Sequence, residues 1–276
     1  MLISRLRKIV AENKDRRMAF LRSLLKEAIE YYTLNFVFIS KWGKHLLFKG
    51  ETCLRFCFGL PRLSEDLDFD VEKAHDFNVG KFTKDLERYY FGRLQYKGLI
   101  TKIANNKRTV YLKFPILNEI GLSVSPSDSN VVHVRIDFAE GAKAKYTPEI
   151  SGKSYSDLTF AIRRYSKEDL FAGKISAILT REKMEGTVKV ARVKARDCFD
   201  FVWFAESGIK PNWANIKTGT GFSKSQILER LNDKFKKVTR QMIIDDLAPF
   251  IEDLHSVESF ADNFQMLAKE ALIRIK

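Results

Sequence analysis

Along residues 4–32 apolar positions recur at helical spacing: Leu6, Ile9 and Val10, then Met18, Phe20, Leu21, Leu24, Leu25, Ala28 and Ile29. Charged residues fill the gaps, so the stretch predicts one or two helices lying on a core behind them. Residues 34–39 (LNFVFI) form a short apolar run that fits strand and helix alike. The pattern then sharpens. Leu46, Leu47 and Phe48 lead into a turn at Lys49-Gly50-Glu51, and an apolar segment with Leu54, Phe56, Cys57 and Phe58 follows. Gly59 and Pro61 interrupt it, and acidic and apolar residues alternate from Ser64 to Val71. As a strand, this last run sets Asp66, Asp68 and Asp70 on one side and Leu67, Phe69 and Val71 on the other.

Downstream, residues 79–94 predict an amphipathic, charge-rich helix. Residues 98–103, 109–114 and 131–138 predict strands, being rich in β-branched and aromatic side chains. Asn105-Asn106-Lys107 reads as the turn joining the first two, and residues 123–130 as a loop. Loop and strand material fills 141–166. Ser166 then reads as an N-cap, with an acid three residues later, opening a helix through Arg181. Lys174 and Arg181, two turns apart, share a face of it. Residues 182–194 read as a basic loop, a second helix begins near Ala195, and residues 216–221 (IKTGTG) read as a loop before amphipathic helices to the end. A soft boundary is placed in 205–225, dividing a core of 1–205 from a helical region of 206–276. No internal repeat or low-complexity segment is evident.

At 276 residues the chain has length for one large core or two modest ones. Its hydrophobic share of 45% excludes a disordered polymer. The net charge of +13 favours a polyanionic partner. Cys53 and Cys57 sit four apart in an apolar run, as buried thiols on a helix do, and no Cys/His set completes a zinc site. The charged N-terminus lacks the apolar core of a signal peptide and no run reaches membrane-spanning length, so the expected location is the cytoplasm, with no membrane partner.

The acidic strand carries the chemistry. Like charges gathered on one edge are costly without a counterion. Carboxylate oxygens suit a divalent cation, Mg²⁺ first and Mn²⁺ as an alternative, where phosphates share the site. A glycine turn, a helix and then Asp-x-Asp on a strand form the arrangement expected of nucleotidyl transfer: the glycine admits a phosphate, and the helix aims amides at it. Asp137, in an apolar strand, is a candidate third ligand of a two-metal site, although pairing around Arg135 is the plainer explanation for it. Asp70 reads as a strand-end charge or a partner of the ligands. The aromatic residues Phe199, Phe201, Trp203 and Phe204 read as helix packing.

The run KGETCLRFCFGLPRLSEDLDFD resembles the signature of the AbiEii/AbiGii toxin family, to which the MenT toxins belong: Lys-Gly-Gly-Thr-x-Leu, then Gly-Leu-Pro-Arg-x-Ser-x-Asp-Leu-Asp-Phe. The later DLFAGKISAILTRE and KARDCFDFVWF resemble that family's second block, and the similarity runs from about residue 46 to 205. The resemblance implies an α/β (α+β) fold with a polymerase β-like nucleotidyltransferase core, a mixed sheet and a helical C-terminal region. It implies the toxin of a toxin–antitoxin or phage-defence pair, with a cognate antitoxin as partner. Asp66 and Asp68 would hold the catalytic metal. Ser64 and the Lys49-Gly50 turn with Thr52 would meet the nucleotide phosphates, Lys174 with Arg181 would bind the triphosphate, and Asp197 would be the second block's other functional residue. Glu51 departs from the pattern, standing where the second glycine is usual. Apart from the resemblance, Lys174 and Arg181 read as a solvated face, and Asp197 and Asp200 as partners of Arg196 and Lys194.

Together these readings predict transfer of a nucleoside monophosphate from an NTP to an RNA hydroxyl, with the tRNA 3′ end as acceptor and translation arrest as consequence. The alternatives are nucleotidylation of a protein side chain, and a nucleotide-binding regulator without transfer activity.

Overall fold

The computed structural model describes residues 2–72, 74–122, 129–141, 146–185, 188–191 and 193–276; for 74, 182–185 and 188–191 it describes the backbone alone. The chain forms two compact units, one of residues 1–141 and 148–164, the other of 142–147 and 165–276. The 205/206 division read from the sequence falls inside the second unit.

The first unit opens with α1 (Leu2–Glu12) and α2 (Met18–Ile39), which absorbs the ambiguous run 34–39 into a helix. Then come β1 (Leu46–Lys49), α3 (Gly50–Phe58), β2 (Asp66–Val71) and α4 (Val79–Gly92). Five strands follow: β3 (Ile100–Ala104), β4 (Thr109–Pro115), β5 (Val131–Glu140), β6 (Glu149–Tyr155) and β7 (Leu158–Arg164). The seven strands form one mixed sheet in the order β3-β4-β5-β2-β1-β7-β6. β2 lies at its centre, antiparallel to β1 and parallel to β5.

The period-two pattern decides the faces. On β5, Val132, Val134, Ile136 and Phe138 are buried. Phe138 stacks near Phe69 of β2 and meets Phe82 of α4, while Phe38 of α2 reaches Phe69. One face of the sheet is thus an aromatic core closed by α2 and α4, and the alternate residues are committed to the other face. The turn between β3 and β4 has left-handed backbone at Asn105, Asn106 and Lys107, as expected of a tight reversal. Most of the loop expected over 123–130 lies outside the described residues.

The second unit contains α5 (Lys167–Thr180), a hairpin of β8 (Glu182–Glu185) and β9 (Val188–Ala191), and α6 (Ala195–Glu206). The helices α7 (Trp213–Thr220), α8 (Lys224–Phe235), α9 (Arg240–Leu247) and α10 (Leu254–Ile275) complete it. Ser166 caps α5, accepting from the Asp169 amide. The core stacks Phe171 on Phe204 at 4.4 Å and continues through Phe201, Phe235 and Phe264, so these rings pack as the sequence predicts.

Two readings need correction. Residues 182–185 and 188–191 pair as antiparallel strands where a basic loop was expected; Val188 and Val190 supply a β-favouring alternation that the charges concealed. Residues 216–220 belong to α7, not a loop: Asn212 caps the helix, Ile216 is fully buried, and Gly221 ends it in left-handed backbone. Packing of that buried stripe overrides the low helix propensity of Thr and Gly.

Candidate functional site

β1 and β2 lay the acids side by side. Register puts Lys49 opposite Asp68, Asp68 opposite Asp137, and Asp66 opposite Arg135, so all five side chains leave one face of the sheet. Asp70 is buried and takes the Lys49 ammonium at 2.5 Å. Lys49, read as a nucleotide contact, is therefore engaged with the third acid of the row. Asp137 is held as well: Thr109 Oγ1 donates to its Oδ1 at 2.7 Å, and Arg135 Nε donates to its Oδ2 at 2.6 Å.

Asp66 and Asp68 are different. Asp66 meets only distant cations, Lys26 Nζ at 3.9 Å and Arg135 at 3.9 Å. Burial pushes the Asp66 carboxyl above its ordinary value, against the pull of Lys26 and Arg135. Asp68 is pushed up to about 7, first by burial and then by the Asp66 charge, with Lys49 working the other way. Two neighbouring carboxylates that resist ionisation in the bare protein are what an oxygen-seeking cation would relieve. Hard donors in adjacent positions fit a divalent ion.

Gly50 opens α3 directly against this pair. Its φ is +79°, and a Cβ there would stand 2.3 Å from Asp68 Oδ2. Glycine is required twice over, by the backbone and by the carboxylate that fills the space. Two residues on, Thr52 donates its hydroxyl to the Asp66 carbonyl at 2.5 Å, tying the start of the helix to the start of β2. Ser64 is buried, and its hydroxyl has no hydrogen-bond partner among the described residues.

Glu51, the departure from the family pattern, is paired with Arg62, whose guanidinium lies 2.8 Å away and is fully buried. The carboxylate is thus held by a cation of its own. Arg62 and Lys26 are the residues that sequence reasoning missed. Arg62 stood within the Gly-Leu-Pro-Arg stretch and was the one with a signal to find it; Lys26 emerges from packing.

In the second unit, Lys174, Arg181 and Asp197 come together, joined by Asp200. Lys174 Nζ lies 2.8 Å from Asp197 and 2.7 Å from Asp200, and Arg181 lies 2.6 Å from Asp197. The solvated-face reading of Lys174 is overturned, since it is buried on α5. Arg196 and Lys194 are not the partners of these acids as expected: Arg196 pairs with Asp246 at 3.0 Å and covers the Phe250 ring. The helix expected through Arg181 ends one residue earlier: Lys174 projects from α5, Arg181 is the extended residue that closes it, and both reach Asp197.

Among the described residues no helix is long and apolar enough to cross a membrane. Residues 36–266 match the family described as "Nucleotidyl transferase AbiEii toxin, Type IV TA system". No curated protein matches the chain by sequence. Among solved structures, the chain is similar to MenT4, a nucleotidyltransferase toxin from Mycobacterium tuberculosis, at TM-score 0.52 and 14% identity, covering 98% of this chain and 99% of that one. It is also similar to JHP933 from Helicobacter pylori, at TM-score 0.49 and 17% identity, covering 92% and 93%.

Proposed function

The chain belongs to the AbiEii nucleotidyl transferase toxin family of type IV toxin–antitoxin systems, and from that premise we propose that it moves a nucleoside monophosphate from an NTP to a hydroxyl of RNA, with the tRNA 3′ acceptor end as target. The carrying observation is the Asp66–Asp68 pair, two neighbouring carboxylates without a close cation among the described residues, beneath the Gly50 turn. The bond formed joins the RNA hydroxyl oxygen to the α-phosphorus. The bond broken is that between the α-phosphorus and its bridging oxygen, with pyrophosphate leaving.

Asp66 and Asp68 supply the ligands of a Mg²⁺ ion, for which Mn²⁺ substitutes, and Asp137 joins them if Arg135 releases it. Such a cation supplies charge neutralisation at the phosphates and a lowered pKa for the attacking hydroxyl. Gly50 and the first amides of α3 accept a phosphate at the helix N-terminus. The unpartnered Ser64 hydroxyl and the anchored Thr52 define the edge of that cradle, and Lys49 steadies Asp70 beside it. Lys174 and Arg181 are assigned to the triphosphate, with Asp197 orienting both. Residues 1–205 hold all of these side chains and form the transferring core, with 206–276 as a helical region. An RNA acceptor follows from the +13 charge, since phosphate neutralisation drives such binding. The compartment holding tRNA and NTPs is the cytoplasm, where a cognate antitoxin would restrain the enzyme.

The test is incubation with each labelled NTP, total tRNA and Mg²⁺. Label in tRNA is expected, and its loss in Asp66→Ala. Label in protein instead would transfer the reading to protein nucleotidylation. Nucleotide binding with no label in either would make the chain a regulator.

A further inference from the structure

At the opposite end of β2 from Asp66, two cavities adjoin. One, of about 620 Å³, has Val71 and Phe138 on its wall, the N-terminus of α4 on one side and the 105–108 turn on the other. The second, of about 410 Å³, is bordered by Lys44, His75 and Lys81. Phe77 and Asn78 line both and make them one groove. From Asp66 to Val71 the strand advances roughly 17 Å, so the groove is separate from the carboxylate pair.

Its charge is one-sided. Lys44, Lys81 and Lys107 are exposed at the groove and have no ion-pair partner among the described residues. Of the acids nearby, Glu140 pairs with Arg108 at 3.0 Å and Asp85 with Lys41 at 3.4 Å, while Asp76, 3.3 Å from His75, is the one left against the surplus of lysines. Between the cations stands the half-buried ring of Phe77, fixed edge-on against Trp42 at 5.6 Å and tilted on Phe138 at 4.9 Å. Asn78, Asn105 and Asn106 are exposed and add amide groups at the rim. Lysines spaced around a fixed aromatic wall match a single-stranded phosphate backbone whose bases stack without sequence preference. The surplus of lysines around the opening favours a polyanion over a protein partner, whose binding would leave Lys44, Lys81 and Lys107 to be answered by acids of its own.

We propose that this groove docks RNA, holding the acceptor strand by its backbone at a distance from the hydroxyl that receives the nucleotide. Only the identity of that RNA rests on the transferase reading; the groove's affinity for RNA does not. The long reach would let the enzyme select an RNA body while the chemistry proceeds at its end.

The experiment measures binding of total tRNA, without NTP, over a range of salt. It compares the parent, a groove variant (Lys44→Ala, Lys81→Ala, Lys107→Asn) and a control of equal charge loss (Lys236→Ala, Lys237→Ala, Lys269→Ala) in the other unit. Asn is chosen at 107 because it tolerates left-handed backbone. The groove variant is expected to bind at least ~10-fold more weakly at moderate salt, with the salt slope flattened by about two units. In the labelling reaction its KM for tRNA should rise while its KM for NTP holds. Equal binding by parent and groove variant, or equal weakening in the control, would overturn the proposal, as would a parent that binds no RNA. A parent that binds RNA through the groove yet labels none would refute the transferase reading and leave the groove standing.

Discussion

The protein contains two clusters of acids and treats them in opposite ways. In the second unit Asp197 and Asp200, 1% and 0% exposed, are matched by Lys174 and Arg181 at 2.6–2.8 Å. On β2, Asp66 is 34% exposed with its nearest cations 3.9 Å away, and Asp68 beside it is pushed up to about 7. Buried charge is tolerated where it is paired, and where it is left unpaired the structure is arranged for something it must bind. The acids of the second unit are answered by close cations, and those on β2 are the ones we propose to hold the metal.

The largest expected effect breaks the contrast at its chemical end. Asp66→Ala or Asp68→Ala should lower nucleotide transfer by ~10³-fold or more, because ligand loss removes several kcal/mol of transition-state stabilisation. Single-turnover labelling of tRNA measures it, and folding should be unharmed. Next comes Lys174→Ala, which takes a buried cation away from Asp200 and leaves Asp197 to Arg181 alone. Chemical denaturation should show a loss of about 3–5 kcal/mol. A stability change below about 1 kcal/mol there would mean that the pairs are incidental.

A smaller effect sharpens the contrast by its sign. The Asp68 carboxyl titrates at about 7 in the folded protein against 3.8 when free. Between those values the folded chain keeps a proton that the unfolded chain gives up, so stability falls as pH rises from 3.8 to about 7 and levels off above. Asp68→Asn should therefore stabilise the metal-free protein at pH 8 and flatten this slope, whereas Asp200→Asn should destabilise it. Thermal unfolding across pH, with metal chelated, distinguishes the two. The smallest is Gly50→Ala, costing on the order of 1–3 kcal/mol for left-handed backbone and for the collision with Asp68. It should reduce transfer beyond what its stability loss explains.

Much of this was legible in the sequence because it depends on local periodicity. The alternation of 66–71 decided which acids share a face, and Ser166 marked the start of α5. What was not legible depends on neighbours far along the chain. Nothing at positions 181 and 197 announces that they pair, and Arg196, the adjacent cation, goes instead to Asp246. Glu51 stood in the sequence only as a departure from the usual glycine, and nothing local announced that Arg62 holds it. The IKTGTG run looked like a loop because its propensities are poor, and only the burial of Ile216 makes it a helix. Asp137 was read either as a ligand or as a partner of Arg135; Arg135 does hold one of its oxygens, and Thr109, which holds the other, comes from strand register.

The most direct measurement is calorimetric titration of Mg²⁺ and Mn²⁺ into the parent and Asp68→Asn at pH 8, without nucleotide. The parent should bind the ion, and the variant, folded and no less stable, should bind at least ~10-fold more weakly. Equal affinity in the two proteins would mean that the carboxylate pair on β2 does not hold the cation.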